Sequence, residues 1–111
     1  MIGARASSDV FQAVADPVRR GLLDLLRESE LTVLELGRRF NVTQPAISHH
    51  LLILKKAGLV SARRVGRQRV YSITPKPLQQ MYDWVSQYKT FIDPAGHAWR
   101  ITREGNRGKQ P

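Results

Sequence analysis

The pattern of the chain changes at Gly58, and that change limits the folds open to it. Before it, apolar residues recur at helical spacing behind helix-start residues; after it, β-branched and aromatic residues cluster around a glycine turn. A short first helix carries Val10, Phe11 and Val14. Asp16-Pro17 then sets an N-cap aspartate ahead of a proline at the first helical position, opening a second helix with Leu22, Leu23, Leu25 and Leu26. Thr32 and Glu35 have the spacing of a capping box, which predicts a short third helix through Leu34, Leu36 and Phe40. Thr43 caps a fourth, whose Ile47, Leu51 and Leu54 recur at intervals of four and three, and Gly58 supplies the left-handed residue that ends it. Leu59 to Val65 and Arg69 to Ile73 read as two strands joined through Gly66-Arg67-Gln68. Thr74-Pro75-Lys76-Pro77 starts a last long helix, with Leu78, Met81, Tyr82, Val85, Tyr88 and Ile92 on one side.

The fold class that follows is mainly α with a small β-hairpin, in the order α-α-α-α-β-β-α. Thr32–Ala57 is a helix-turn-helix candidate, and a basic hairpin directly after it is a wing, so the architecture reads as a winged helix-turn-helix. At 111 residues one domain is expected. It spans 1–92, with a flexible tail at 93–111 where apolar residues are few.

The net charge of +9 is not spread evenly. Between Glu35 and Asp83 there is no acidic residue, and these 47 positions hold nine of the 18 Lys and Arg; the other nine are balanced by the nine acids. All of the excess charge therefore falls on a stretch that covers most of the helix-turn-helix and the whole wing, which points to a polyanion as partner. Arg63, Arg64, Arg67 and Arg69 crowd the hairpin tip, where mutual repulsion is costly unless something neutralises it.

On the fourth helix, a pitch of about 100° per residue puts Pro45, Ser48, His49, Leu52 and Lys56 opposite the apolar stripe. Gln44 sits in the first turn, where a recognition helix meets base edges. Glutamine can bond bidentately to adenine, serine reaches several bases, and leucine can touch a thymine methyl. The Thr43 hydroxyl and the free amides beside it suit a phosphate oxygen. His49 is placed to donate to a guanine or a phosphate. For His50, beside Leu51, a phosphate contact and a hydrogen-bonded structural role are both open. The DNA-facing set is thus Thr43, Gln44, Pro45, Ser48, His49, His50 and Lys56, with the four wing arginines.

These residues resemble the ArsR/SmtB-type winged helix repressors of bacteria and archaea. The likeness is carried by Phe11 to Arg20, by Thr43-Gln44-Pro45-Ala46-Ile47-Ser48-His49-His50-Leu51, by Leu54 to Val60, and by the wing Gly66 to Ile73; it runs from about residue 9 to 92. The resemblance implies a sequence-specific repressor that binds double-stranded DNA as a homodimer. The fourth helix would lie in the major groove of a palindromic operator, the wing along the minor groove or backbone. It implies a cytoplasmic, nucleoid-associated place and packing of the dimer through the first and last helices. That assigns Val10, Phe11, Val14, Leu78, Met81, Tyr82, Trp84, Val85 and Tyr88 to the dimer interface. Trp84, Tyr88 and Phe91 also admit a second role, lining a cleft for an effector.

The departures from the family pattern are equally informative. Metal-sensing members carry two cysteines in a Leu-Cys-Val-Cys-Asp-Leu frame; here it reads Leu31-Thr32-Val33-Leu34-Glu35-Leu36, and the chain has no cysteine at all. Thiol sensing is thereby excluded. The family's second metal site uses Asp and His on the last helix, where this chain has Asp83 but no histidine, and His97 with Asp93 is at most a fragment. No metal and no cofactor is expected, so any effector is an unidentified small molecule or partner protein. No apolar run approaches the length needed to span a bilayer, and none at the start marks a signal peptide. An enzyme is not expected, because no nucleophile–base set or glycine-rich phosphate loop is present. The alternative function is a winged helix used for RNA binding or protein interaction, since fold alone does not fix function.

Overall fold

The computed structural model describes residues 9–92. The tail at 93–111, with His97 and Asp93, lies outside the described residues. The chain divides into two units, one up to Gln79 and one from Gln80 onward.

The first unit opens with a helix through residues 9–14 (α1), followed by α2, Pro17–Glu28. Asp16 caps α2 as its sequence demands, accepting from the amides of Val18 and Arg19 at 2.8 and 3.1 Å. At the same junction the orphan carbonyls of α1 are satisfied by two arginines. Arg19 donates from Nε to the Ala13 carbonyl and from Nη2 to that of Gln12, while Arg20 reaches Val14 and Ala15. Guanidinium charge at a helix C-terminus also complements the helix dipole.

Leu31–Thr32 (β1) then pairs with a later strand, and Val33–Gly37 forms α3. The capping box is complete: the Glu35 amide donates to Thr32 Oγ1, and the Thr32 amide donates to Glu35 Oε1 at 2.8 Å. α3 is shorter than its pattern suggested, and Phe40 lies in the turn after it. Gln44–Lys56 is α4, capped by Thr43, whose Oγ1 accepts from the Ala46 amide. Its far end is a full Schellman motif, with Gly58 at φ +79° and bonds Gly58 N–H to Lys55 O and Leu59 N–H to Leu54 O.

Val60–Val65 (β2) and Gln68–Ile73 (β3) form the hairpin, turning at Gly66 with φ +63°. A positive φ at the first loop residue is what a two-residue hairpin turn requires. The sheet has three strands, not two: β1 adds to β3 (Leu31 opposite Tyr71, Thr32 opposite Val70), so β3 is central in the order β1-β3-β2.

The core gathers Leu22, Leu36, Ile47, Leu51, Leu54 and Leu59 at no exposure, with Leu26, Val60 and Tyr71 around them. Each such leucine contributes about 1.5–3 kcal/mol by leaving water. Val10, expected at a dimer interface, is 1% exposed within its own chain. With no surface to offer a partner it is a core residue, and its assignment to the interface is corrected.

Residues 78–92 were expected to form one long helix. Instead α5 (Leu78–Val85) passes through a 3₁₀ turn, Ser86–Tyr88, into α6 (Lys89–Ile92). Ser86 explains the interruption: its Oγ donates back to the Asp83 carbonyl at 3.0 Å, competing with the backbone ladder. In the second unit Tyr82, Trp84, Tyr88 and Phe91 are exposed at 64, 51, 45 and 77%, and the Trp84 and Tyr88 rings meet at 5.3 Å.

Candidate nucleic-acid interface

α4 is the element on which the site is built. With Ile47, Leu51 and Leu54 turned inward, Gln44, Pro45, Ser48, His49 and Leu52 are turned outward and exposed. Leu52 is 48% exposed, on the line Gln44–Ser48–Leu52 that runs one helical turn at a time along the outer face.

The wing faces this line. The register sets Arg64 directly opposite Arg69, with Val65 and Gln68 closing the hairpin. Residues directly opposite share a face, and two cations so placed repel. Arg64, Arg67, Gln68 and Arg69 then line an open groove of about 360 Å³ whose other wall is Gln44 and Ser48 of α4; Thr32, Val33 and Leu34 form its end. Three guanidinium groups, the amides of Gln44 and Gln68 and the hydroxyls of Ser48 and Thr32 thus converge on one space, a donor set that suits phosphate oxygens and base edges together.

Several candidates fall elsewhere. Strand alternation puts Arg63 on the opposite face of the wing, where its Nη2 lies 2.7 Å from Glu30 Oε1. That hydrogen bond, with the ion pair's attraction, holds the Glu30 carboxyl below and the Arg63 guanidinium above their ordinary pKa. Arg63 is therefore an anchored and partly neutralised charge. Lys56 is exposed in the last turn of α4, roughly 18 Å along the axis from Gln44, and does not line the groove. Thr43 is exposed but its hydroxyl is engaged as the cap.

His50 is turned the other way. Its side chain is 17% exposed, and Nδ1 lies 3.1 Å from Arg19 Nη1 and 4.0 Å from Asp16 Oδ2. Arginine offers only donors, so Nδ1 accepts and the ring hydrogen sits on Nε2. Asp16 itself is held below its ordinary pKa by the Arg19 amide first, then by the Val18 amide and the Arg19 charge. Of the two roles open to His50, the geometry displays the hydrogen-bonded one.

Gln68 and Leu34 were not singled out from the sequence. Gln68 was legible in principle, because a Gly66-Arg67 loop makes it the residue that closes the hairpin. Leu34, 48% exposed, has no such signal, since an apolar residue in a short helix reads as core. Among the described residues no three His, Cys, Asp or Glu side chains gather as a metal site. No helix among them is long and apolar enough to cross a membrane.

Comparison with known proteins gives the family. The family model described as "Bacterial regulatory protein, arsR family" matches residues 16–62, from the α2 cap to the first residues of β2. The transcriptional repressor SdpR of Bacillus subtilis is 40% identical over 81 residues, 73% of this chain and 90% of that one. The HTH-type transcriptional regulator Rv2034 of Mycobacterium tuberculosis is 36% identical over 102 residues, covering 92 and 94%. Among solved structures, an ArsR-like transcriptional regulator from Rhodococcus sp. RHA1 superposes with a TM-score of 0.70 at 26% identity, covering 81% of this chain and 85% of its own. The chain belongs to the arsR family of bacterial regulatory proteins and is a DNA-binding transcriptional regulator, not an enzyme.

Proposed function

We propose that the chain is a homodimeric repressor that reads a palindromic operator, with α4 in the major groove and the wing on the phosphate backbone. The observation that carries this is the groove in which Gln44 and Ser48 of α4 face Arg64, Arg67 and Arg69 of the wing. Donors able to discriminate bases stand on one wall and sequence-blind cations on the other, the division of labour that specific DNA binding needs. His49 and Leu52, exposed on the same side of α4, extend the reading face, and Pro45 stands at its start. His50 belongs to the support behind that face. The exposed aromatic residues Tyr82, Trp84 and Tyr88 supply the interface of a second copy with the half-buried Leu78, Met81 and Val85, and the first unit supplies the half-buried Phe11 and Val14.

Repression then needs only that a bound dimer occupy promoter DNA against polymerase. In vitro selection of duplex DNA by the full chain at moderate salt tests the proposal. The expected product is a palindrome whose half-sites lie about 10 bp, or a multiple of that, apart. Enrichment of a single unpaired half-site, or of no motif, overturns the dimeric reading.

A further inference from the structure

Arg19 touches three elements at once. It stands in the first turn of α2; its Nε and Nη2 bind the Ala13 and Gln12 carbonyls at the end of α1, at 2.7 and 3.1 Å; and its Nη1 reaches His50 Nδ1 on α4 at 3.1 Å. All three arms of the guanidinium are therefore used, and its rigid planar fork fixes the angles between the three partners. His50 is the residue after His49 on α4, and its ring is the side chain through which Arg19 meets that helix.

We infer that Arg19 is a positioning residue for DNA recognition, seating α4 against the carbonyl end of α1 by way of His50. The inference rests on the proposal that α4 is the reading helix. A helix that must bring Gln44 and Ser48 within hydrogen-bond reach of base edges tolerates little rotation, since a shift of about 1 Å removes a bidentate contact. Apolar packing at Ile47, Leu51 and Leu54 fixes the depth of α4 but is non-directional; the Arg19–His50 bond adds direction.

The test compares wild type, His50→Leu and His50→Asn on the duplex enriched by selection and on a random duplex of equal length. In His50→Asn the side-chain amide oxygen would stand where Nδ1 stands, so that variant keeps an acceptor for Arg19. His50→Leu is expected to lose about tenfold on the selected duplex and little on the random one, and His50→Asn to recover most of that loss. Equal binding of the selected duplex by the Leu and Asn variants overturns the role of Arg19. Gln44→Ala in the same assay separates the two ideas. Loss on the selected duplex alone keeps α4 as the reading helix whatever happens at position 50, whereas equal loss on both duplexes overturns the reading helix and the inference with it.

Discussion

At Gly21 the side chain is missing for a reason of space. A β-carbon built there would stand 2.8 Å from Cε1 and 3.0 Å from Cζ of Phe40, so the α2 backbone is where the Phe40 ring rests. Alanine in a helix interior gains about 1 kcal/mol over glycine, while overfilling a packed site costs about 1–3 kcal/mol. We predict that Gly21→Ala lowers stability by about 1 kcal/mol in urea unfolding. In a Phe40→Leu background, where the ring edge is gone, the same change is expected to stabilise by up to about 1 kcal/mol. Stabilisation in both backgrounds would show that the ring yields freely. The sequence disclosed Asp16, Thr32 and Thr43 because capping is local chemistry between residues two or three apart. It disclosed neither the Gly21–Phe40 contact nor the burial of Val10, which depend on where distant segments come to rest.

Among the elements, the wing carries the charge that matters most, and its faces are not equivalent. Arg64, Arg67 and Arg69 line the groove, while Arg63 is held by Glu30 on the other side. Each phosphate contact contributes about 0.9 to the slope of log affinity against log salt. Replacing Arg64, Arg67 and Arg69 together by alanine should flatten that slope by roughly 2.7 per protomer and weaken selected and random DNA alike. Arg63→Ala should flatten it less, because that charge is already balanced. Fluorescence anisotropy over a series of salt concentrations measures both, and an equal effect of Arg63→Ala and Arg67→Ala would show that the Glu30 pair opens on DNA. Because the Glu30 pKa is lowered in the folded state, the pair is intact above the ordinary value of 4.5 and is lost only as pH falls through the lowered one. The hairpin was legible from its β-branched residues and glycine turn. β1 was not, since two residues show no alternation and Thr32 had already declared itself as a cap.

For the whole molecule, the second unit shows water what a core would keep. Phe91 is 77% exposed and Tyr82 64%, beside Trp84 and Tyr88. Clusters of exposed aromatic residues mark contact surfaces. The chain, at 12.6 kDa, is expected to run as a dimer in light-scattering sizing, and Trp84→Glu with Phe91→Glu as a monomer. A monomer engages one half-site, so its affinity for the palindrome should fall by on the order of a hundredfold. A dimer that survives both changes would place the interface elsewhere. The helix-turn-helix and the charge distribution were readable before any coordinates because both are written in short-range pattern. The 3₁₀ break at Ser86 was not, since a serine in a helical pattern gives no sign of bonding back to its own turn.

The facing arginines of the wing, Arg64 and Arg69, give the salt dependence a second origin. In the free protein they push the strands apart, and added salt relieves that strain before any DNA is present. On a phosphate backbone the same relief comes from the ligand. Salt therefore acts twice in one direction, lowering the energy of the unbound wing and weakening its attraction to DNA. A slope measured for this protein counts phosphates touched and, on top of them, the repulsion that the hairpin no longer has to bear.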